Sequence, residues 1–141
     1  MRPSTSRSHP SSPRIAGPAL LAATCVVLLA LGPSALANTY APTRLGDPVP
    51  NGCKKNDCSL REAVIAANNH SGDDDIVLKA GKTYKLSHGA GSPAEDLARS
   101  GDLDIRDKVT IACSSRTKAI VDANNHFRVF ETFARTTLRS L

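Results

Sequence analysis

The distribution of hydrophobic and polar residues divides the chain into three kinds of segment. Residues 19–31 are predominantly apolar and carry no charge, whereas residues 59–69 place apolar side chains at helical spacing. Beyond residue 75, apolar pieces of two to four residues alternate with turn-forming or charged residues. These patterns predict, in order, a short apolar leader, one amphipathic helix and a series of short strands.

The predicted helix follows an N-cap at Ser59. Ser59 and Glu62 match the capping-box pattern S-x-x-E, in which each side chain accepts a hydrogen bond from the other residue's backbone N–H. Positions i, i+3, i+4 and i+7 form one apolar face, which consists of Leu60, Ala63, Val64 and Ala67. Arg61 and Glu62 point away from that face, and Asn68-Asn69 ends the helix because Asn tolerates a left-handed C-cap. A helix of about nine residues is not stable alone in water, so its apolar face must pack on another element.

The short apolar pieces predict strands at residues 76–78, 84–86, 103–105, 109–111, 120–121, 129–130 and 137–138. None of the links between them contains the two-residue Asn-Gly or Asp-Gly turn that is typical of a hairpin. A solenoid accommodates such strands, because each one pairs with its counterpart one coil later. The pattern therefore favours a mostly β, solenoid-like fold.

Residues 1–37 have the three parts of a secretory signal peptide. Arg2, Arg7 and Arg14 make the beginning basic, the apolar run follows, and residues 35–37 supply the small-x-small cleavage pattern. The alternative is a membrane anchor, but the apolar run of 13 residues is shorter than the roughly 20 that a bilayer requires. Cleavage after Ala37 would leave no membrane span, and we expect the protein to be secreted or to lie at a bacterial cell surface.

Cleavage would leave residues 38–141 as the working protein. Residues 38–52, with three prolines, are expected to form an extended lead-in, and residues 53–141 the folded domain. Loss of the three leader arginines lowers the net charge from +5 to +2, which leaves no basic stripe and argues against nucleic-acid binding. With no Trp, two Tyr and three Phe, the core must consist mainly of Ile, Val, Leu and Ala.

Three cysteines remain after cleavage. Cys53 and Cys58 bracket a polar loop, and in an exported protein this spacing favours a disulfide. A metal site is the alternative, but no second cysteine pair and no suitably spaced histidines accompany them. Cys113 follows an apolar run and is interpreted as a small core residue, with a reactive thiol or an intermolecular bridge left open.

A resemblance to a known family rests on the heptad Cys58-Ser59-Leu60-Arg61-Glu62-Ala63-Val64. It resembles the motif of the CSLREA family, exported bacterial proteins with a right-handed parallel β-helix similar to the pectin-lyase-like fold. Further matching segments follow in the order that the N-terminal region of this family shows: 66–68, 79–84, 101–105, 109–111 and 128–130. The resemblance implies that the helix covers the open end of the first coil and that a Cys53–Cys58 bridge holds the entrance of the helix.

The chain departs from that family at its C-terminal end. Family members continue for many coils, whereas this sequence ends at Leu141, shortly after a predicted strand. A bare last coil exposes apolar core and an unpaired strand edge. We therefore expect a truncated product, with cover by a partner as the alternative.

Two acid clusters are the candidates for metal binding. Asp73-Asp74-Asp75 precedes a predicted strand, and Asp102 and Asp104 alternate along another. Without EF-hand spacing, these acids are interpreted as a solvated turn and outward-facing strand residues, and no metal site is predicted. Convergent carboxylates can bind Ca²⁺, so a calcium site with Asp102 and Asp104 as ligands is the alternative. The sequence indicates no resident cofactor, and no catalytic motif identifies a reaction.

Two functions follow from the resemblance. The first is an exported structural protein, the cap and first coils of a β-helix scaffold or adhesin-like stalk, with no catalytic activity of its own. The alternative is the N-terminal part of a secreted polysaccharide lyase or glycoside hydrolase whose active site lies beyond residue 141. A small secreted binding module fits less well, because the sequence offers no aromatic binding face. The expected partners are an extracellular polysaccharide or a cell-surface ligand.

Overall fold

The computed structural model describes residues 35–90 and 95–141, so the predicted signal peptide lies outside the described residues except for its last three positions. The described elements, in chain order, are β1 (Thr39–Tyr40), α1 (Leu60–Asn68), β2 (Asp74–Leu78), β3 (Thr83–Lys85), β4 (Leu103–Ile105), β5 (Val109–Cys113), β6 (Ile120–Asp122), β7 (Phe130–Thr132) and β8 (Thr136–Arg139). None of the described helices has the length and apolar content that a bilayer crossing requires.

The mostly β fold class is confirmed. Each predicted strand piece overlaps a strand of the structure, and the predicted helix is found in its expected place. The lead-in differs in one respect from the extended chain that its prolines predict. Residues 39–40 form strand β1, which pairs with β2 through Thr39 beside Asp75 and Tyr40 beside Ile76.

All pairs between these strands are parallel. β2 pairs with β5 and β5 with β8, while β3 pairs with β6 and β4 with β7. Apart from β1, each strand therefore pairs with the strand three elements away in the chain, and consecutive strands do not form hairpins. The result is one four-stranded sheet, β1-β2-β5-β8, and two two-stranded sheets, β3-β6 and β4-β7. Parallel strands need crossover connections instead of tight turns, which agrees with the missing hairpin signals in the sequence.

The core of the four-stranded sheet contains an aligned row of large aliphatic side chains. Ile76 of β2 lies beside Ile111 of β5, and Ile111 lies beside Leu138 of β8. We call these three residues the aliphatic column. Ile76 and Ile111 are fully buried, whereas Leu138 is 46% exposed. Burial along the column therefore ends at the last strand of this sheet.

The predicted capping box at the start of α1 is confirmed. The Ser59 hydroxyl accepts the Glu62 N–H at 3.2 Å, and the Glu62 carboxylate accepts the Ser59 N–H at 2.7 Å. The second carboxylate oxygen of Glu62 accepts the Asn51 N–H at 2.8 Å. Burial raises the pKa of Glu62, but these hydrogen bonds and the charge of Arg44 outweigh it, so the net shift is downward.

One expectation about α1, its left-handed C-cap, is wrong, and two side chains outside its apolar face are buried. Arg61 and Glu62 point away from the apolar face, yet they are 0% and 1% exposed, because the lead-in packs over them. Asn69 caps the helix with φ of −97°, which is not left-handed. Its N–H still bonds to the carbonyls of Ile65 and Ala66, so the helix tightens in its last turn before it ends.

The apolar face predicted for α1 is the face that packs on the sheets. Its four side chains are at most 3% exposed, and the helix contacts β2 and β4. These two strands precede β5 and β7, their partners in the same sheets. The helix therefore covers the fold on the side of its earlier strands, as an amphipathic helix too short to be stable alone must do.

Leu60→Ala tests this packing. Removing a buried leucine side chain costs about 2–5 kcal/mol, so we expect a loss of that size in the free energy of unfolding, measured with urea. Ile65→Ala is the matched control, because Ile65 lies on the same helix but is only half-buried. Its loss should be less than half as large, and equal losses in the two variants would contradict the packing.

Candidate functional site

The predicted Cys53–Cys58 disulfide is present. Its sulfur atoms are 2.01 Å apart, and it closes the polar loop 54–57 directly before the N-cap of α1. Cys113 is free and half-buried, less enclosed than a core residue would be, and its thiol donates to the Thr117 carbonyl at 3.0 Å. The predicted Cys53–Cys58 bridge is therefore confirmed, whereas Cys113 is less buried than predicted.

Arg61 makes the most extensive set of buried polar contacts on the helix. Its guanidinium donates two hydrogen bonds to the Asp47 carboxylate, at 2.8 and 2.9 Å. It also donates to three backbone carbonyls in a loop far along the chain: Ala98 at 3.1 Å, Gly101 at 2.6 Å and Asp102 at 3.2 Å. A planar guanidinium is suited to this role because it presents several donors in a fixed geometry. Arg61 thus joins the lead-in, α1 and the loop before β4.

Asp47 extends the same network into another segment. Its carboxylate accepts the backbone N–H groups of Ser87 at 2.9 Å and His88 at 2.8 Å. The side chains of Asp47 and Arg61 are both 0% exposed, so the ion pair is shielded from water. Such a pair persists only where further hydrogen bonds satisfy its remaining donors and acceptors, and here they do.

The loop that Arg61 holds lies beside a cluster of three acids. Asp96 belongs to this loop, Asp104 is the middle residue of β4, and Glu131 is the middle residue of β7. One carboxylate oxygen from each of the three lies within 4.8 Å of the other two. We call these three residues the acidic cluster. It is oxygen-only, so it has the ligand chemistry of a hard cation site.

Asp104 is the buried member of the acidic cluster. It is 0% exposed, one of its carboxylate oxygens accepts the Ala98 N–H at 2.8 Å, and the other has no hydrogen-bond partner among the described residues. Burial raises the pKa of Asp104 to about 6, the Ala98 N–H opposes the shift, and the charges of Asp102, Glu95 and Glu131 add to it.

Arg128 lies beside the acidic cluster and pairs with two acids. Its guanidinium donates to Asp102 at 2.5 Å and to Glu131. The structure therefore separates the two calcium candidates of the sequence analysis, because Asp102 pairs with Arg128 whereas Asp104 joins Asp96 and Glu131. The sequence did not single out Asp96 or the convergence with Glu131, since these residues meet only through the loop and the β4–β7 register.

The other acid run does not form a cluster. Asp73 is exposed and pairs with Lys108 at 3.4 Å. Asp74 is buried, accepts the backbone N–H of Asn38 at 2.7 Å and lies 2.9 Å from Nδ1 of His70. These acids serve local contacts of the fold and do not converge on a common point.

A groove of about 330 Å³ lies between α1 and the loop that carries Asp96. Its lining consists of Ile65, Asn68, Asn69, Leu97, Arg99 and Arg106. The side-chain amide of Asn68 donates to the Asp104 carbonyl at 2.7 Å, and its oxygen accepts the Arg106 N–H at 2.8 Å. The Asn68 amide is therefore already committed to holding the helix against β4.

No protein-family model, curated protein or solved structure matches the chain.

Asp104→Asn tests the electrostatics of the cluster in buffer free of divalent cations. Because the native state raises this pKa from 3.8 to about 6, the folded protein binds the proton more tightly than the unfolded chain. The free energy of unfolding should fall as pH rises from about 4 to about 6, by up to about 3 kcal/mol from this residue. The Asp104→Asn variant keeps an acceptor for the Ala98 N–H and should lack this decline. Its free energy of unfolding relative to that of the native protein should therefore be higher at pH 7 than at pH 4.

The matched control for this measurement is Asp75→Asn, which removes an exposed carboxylate from β2. Its pH dependence should follow that of the native protein in urea titrations between about pH 4 and pH 7.5. An identical pH slope in native protein and Asp104→Asn would contradict the prediction.

Proposed function

We propose that the chain is an exported structural protein whose residues 38–141 form the capped first coils of a right-handed parallel β-helix. In this role it would act as the closed end of a scaffold or stalk, as the resemblance of residues 58–64 to the CSLREA family implies. The proposal is supported by the all-parallel pairing of each strand from β2 onward with the strand three elements away.

One observation carries the proposal: among the described residues, the fold is covered on one side only. α1 packs on the earlier strands β2 and β4, and β6, β7 and β8 are each the last strand of their sheet in chain order. The aliphatic column ends there at the half-exposed Leu138, and Ile120 on β6 is 57% exposed. An unpaired strand edge beside exposed apolar residues is ready to pair with another strand. These edges are therefore suited to receive a further coil or another protein chain.

A structural role is also supported by how the buried charges are used. Arg61 and Asp47 satisfy each other and the backbone around them, and Glu62 caps α1. Asp102 pairs with Arg128. These charges hold segments of the fold together, and Asp104 is the buried acid with an oxygen that is not used in this way.

Export is supported by the contacts at the expected start of the mature protein. The Asn38 N–H donates at 2.7 Å to the carboxylate of Asp74, which is 1% exposed. Cleavage after Ala37 would turn this N–H into an α-ammonium group and the hydrogen bond into an ion pair. A buried carboxylate is strongly stabilised by such a partner. The Cys53–Cys58 disulfide is likewise typical of exported proteins.

The exposed edges predict self-association of the isolated protein. A chain of residues 38–141 should show a sedimentation coefficient that rises with concentration, because its edge strands pair between molecules. Leu138→Lys places a charge at the end of the aliphatic column and should reduce association while the circular dichroism spectrum stays unchanged. Val49→Lys, at an exposed apolar position of the lead-in, is the matched control and should associate like the native protein. Concentration-independent monomers of the native chain would refute the proposed open end.

The Asn38–Asp74 contact predicts that the exact N-terminus affects stability. A protein that begins at Asn38 should be about 1–3 kcal/mol more stable at pH 7.5 than one that begins at Ala35, measured by urea unfolding. Pairing raises the pKa of the ammonium in the folded state. The advantage is therefore present below its unfolded pKa of about 8 and is lost as pH rises through the folded value.

Two backgrounds separate this ion pair from other effects of the extension. The difference between the two starting points should disappear with Asp74→Asn and remain with Asp75→Asn. His70 contacts Asp74 in both proteins, so this contact does not distinguish them. A difference that survives in the Asp74→Asn background would show that the ammonium does not act through this carboxylate.

A further inference from the structure

Two carboxylates of the acidic cluster are placed side by side by the strand register. Asp104 of β4 is the direct partner of Glu131 in β7, so both side chains leave the same face of a parallel pair. Like charges directly opposite each other on neighbouring strands are destabilising. A positive charge near both carboxylates relieves this repulsion, and Arg128, which pairs with Glu131, supplies part of it.

Arg128 donates its side-chain hydrogen bonds to Asp102 and Glu131 and not to Asp104. One oxygen of Asp104 accepts the Ala98 N–H, and the other is buried without a partner while its carboxylate is directed into the cluster. A buried acceptor left unsatisfied costs about 1–3 kcal/mol, and more when it is charged. A ligand that contacts this oxygen would recover that energy.

The third carboxylate is delivered by a loop that the fold holds in place. Arg61 binds the carbonyls of Ala98 and Gly101, and Arg106 donates to the Asp96 carbonyl at 3.1 Å. The Asp96 side chain thereby lies over β4 and β7 without relying on its own side-chain contacts. Two neighbouring strands and a fixed loop thus supply one oxygen each.

The spacing and chemistry of the three oxygens select the class of ligand. Ca²⁺ binds oxygen at about 2.3–2.6 Å, so ligands on opposite sides of one ion are about 4.6–5.2 Å apart. The oxygens of the cluster, all within 4.8 Å of one another, can therefore contact a single Ca²⁺ together. The cluster holds no sulfur or nitrogen ligand, which disfavours Zn²⁺, and the exposed side of Asp96 leaves room for waters.

We propose that Asp96, Asp104 and Glu131 form a binding site for one Ca²⁺ ion. The ion contacts the free oxygen of Asp104, balances the adjacent Glu131 carboxylate and ties the loop to the β4–β7 pair. Arg128 holds one oxygen of Glu131 and leaves the other for the ion. Calcium binding requires only the folded domain, so it is independent of export and of a scaffold role.

Isothermal titration calorimetry of the full chain with CaCl₂ tests the site. We expect one ion per chain with a dissociation constant in the range of about 10⁻⁴–10⁻³ M, typical of sites with few protein ligands in extracellular modules. Saturating Ca²⁺ should raise the unfolding midpoint by mass action. Asp104→Asn and, independently, Glu131→Gln should each weaken binding at least tenfold.

Asp75→Asn is the matched control, since it removes one exposed negative charge from a strand outside the cluster. It should bind Ca²⁺ within about twofold of the native protein. Glu131→Gln keeps the test valid should Asp104→Asn fail to fold, because Glu131 is less buried than Asp104. A native protein that releases no saturable heat up to about 10 mM CaCl₂ overturns the proposal. Equal weakening by Asp75→Asn and the two cluster variants also overturns it.

Discussion

The buried ion pair between Arg61 and Asp47 is the contact on which the arrangement of the described residues depends most. Arg61 is the second residue of α1, yet it donates hydrogen bonds to backbone carbonyls in the loop before β4. Asp47 accepts hydrogen bonds from the backbone N–H groups of Ser87 and His88. Removing either charge would leave the other buried without a partner, which is among the most costly changes in a protein interior. The pair therefore couples the lead-in, the helix and two loops into one unit, and it fixes the position of the loop that carries Asp96.

The parallel sheets differ from this single ion pair, because each sheet gains stability as strands are added to it. A strand of two to five residues contributes few hydrogen bonds of its own, and in the four-stranded sheet burial is complete where a strand has a neighbour on each side. Ile76 and Ile111 have such neighbours and are fully buried, whereas Leu138 does not and is half-exposed. The helix packs on β2 and β4 and covers their apolar residues from one side. The same physical requirement explains both the buried apolar face of α1 and the exposed last strands.

The features that could be predicted from the sequence are those determined by neighbouring residues. The capping box, the apolar face of α1, the strand positions and the Cys53–Cys58 bridge all depend on spacings of a few residues. The burial of Arg61 and the meeting of Asp104 with Glu131 could not be predicted in this way. Both depend on which distant segments the fold brings together. The number of residues between a strand and its partner differs along the chain, because the connecting loops vary in length.

The long sequence separation of the Arg61 contacts has a consequence for the order of events during synthesis. The arginine lies 37 to 41 residues before the carbonyls that it binds. A nascent chain appears N-terminus first, so α1 is complete before its acceptors exist. Until they emerge, the guanidinium has to stay hydrated and the helix remains undocked. The ion pair with Asp47 can form first, whereas docking of the loop before β4 onto the helix waits until residue 102 has been synthesised.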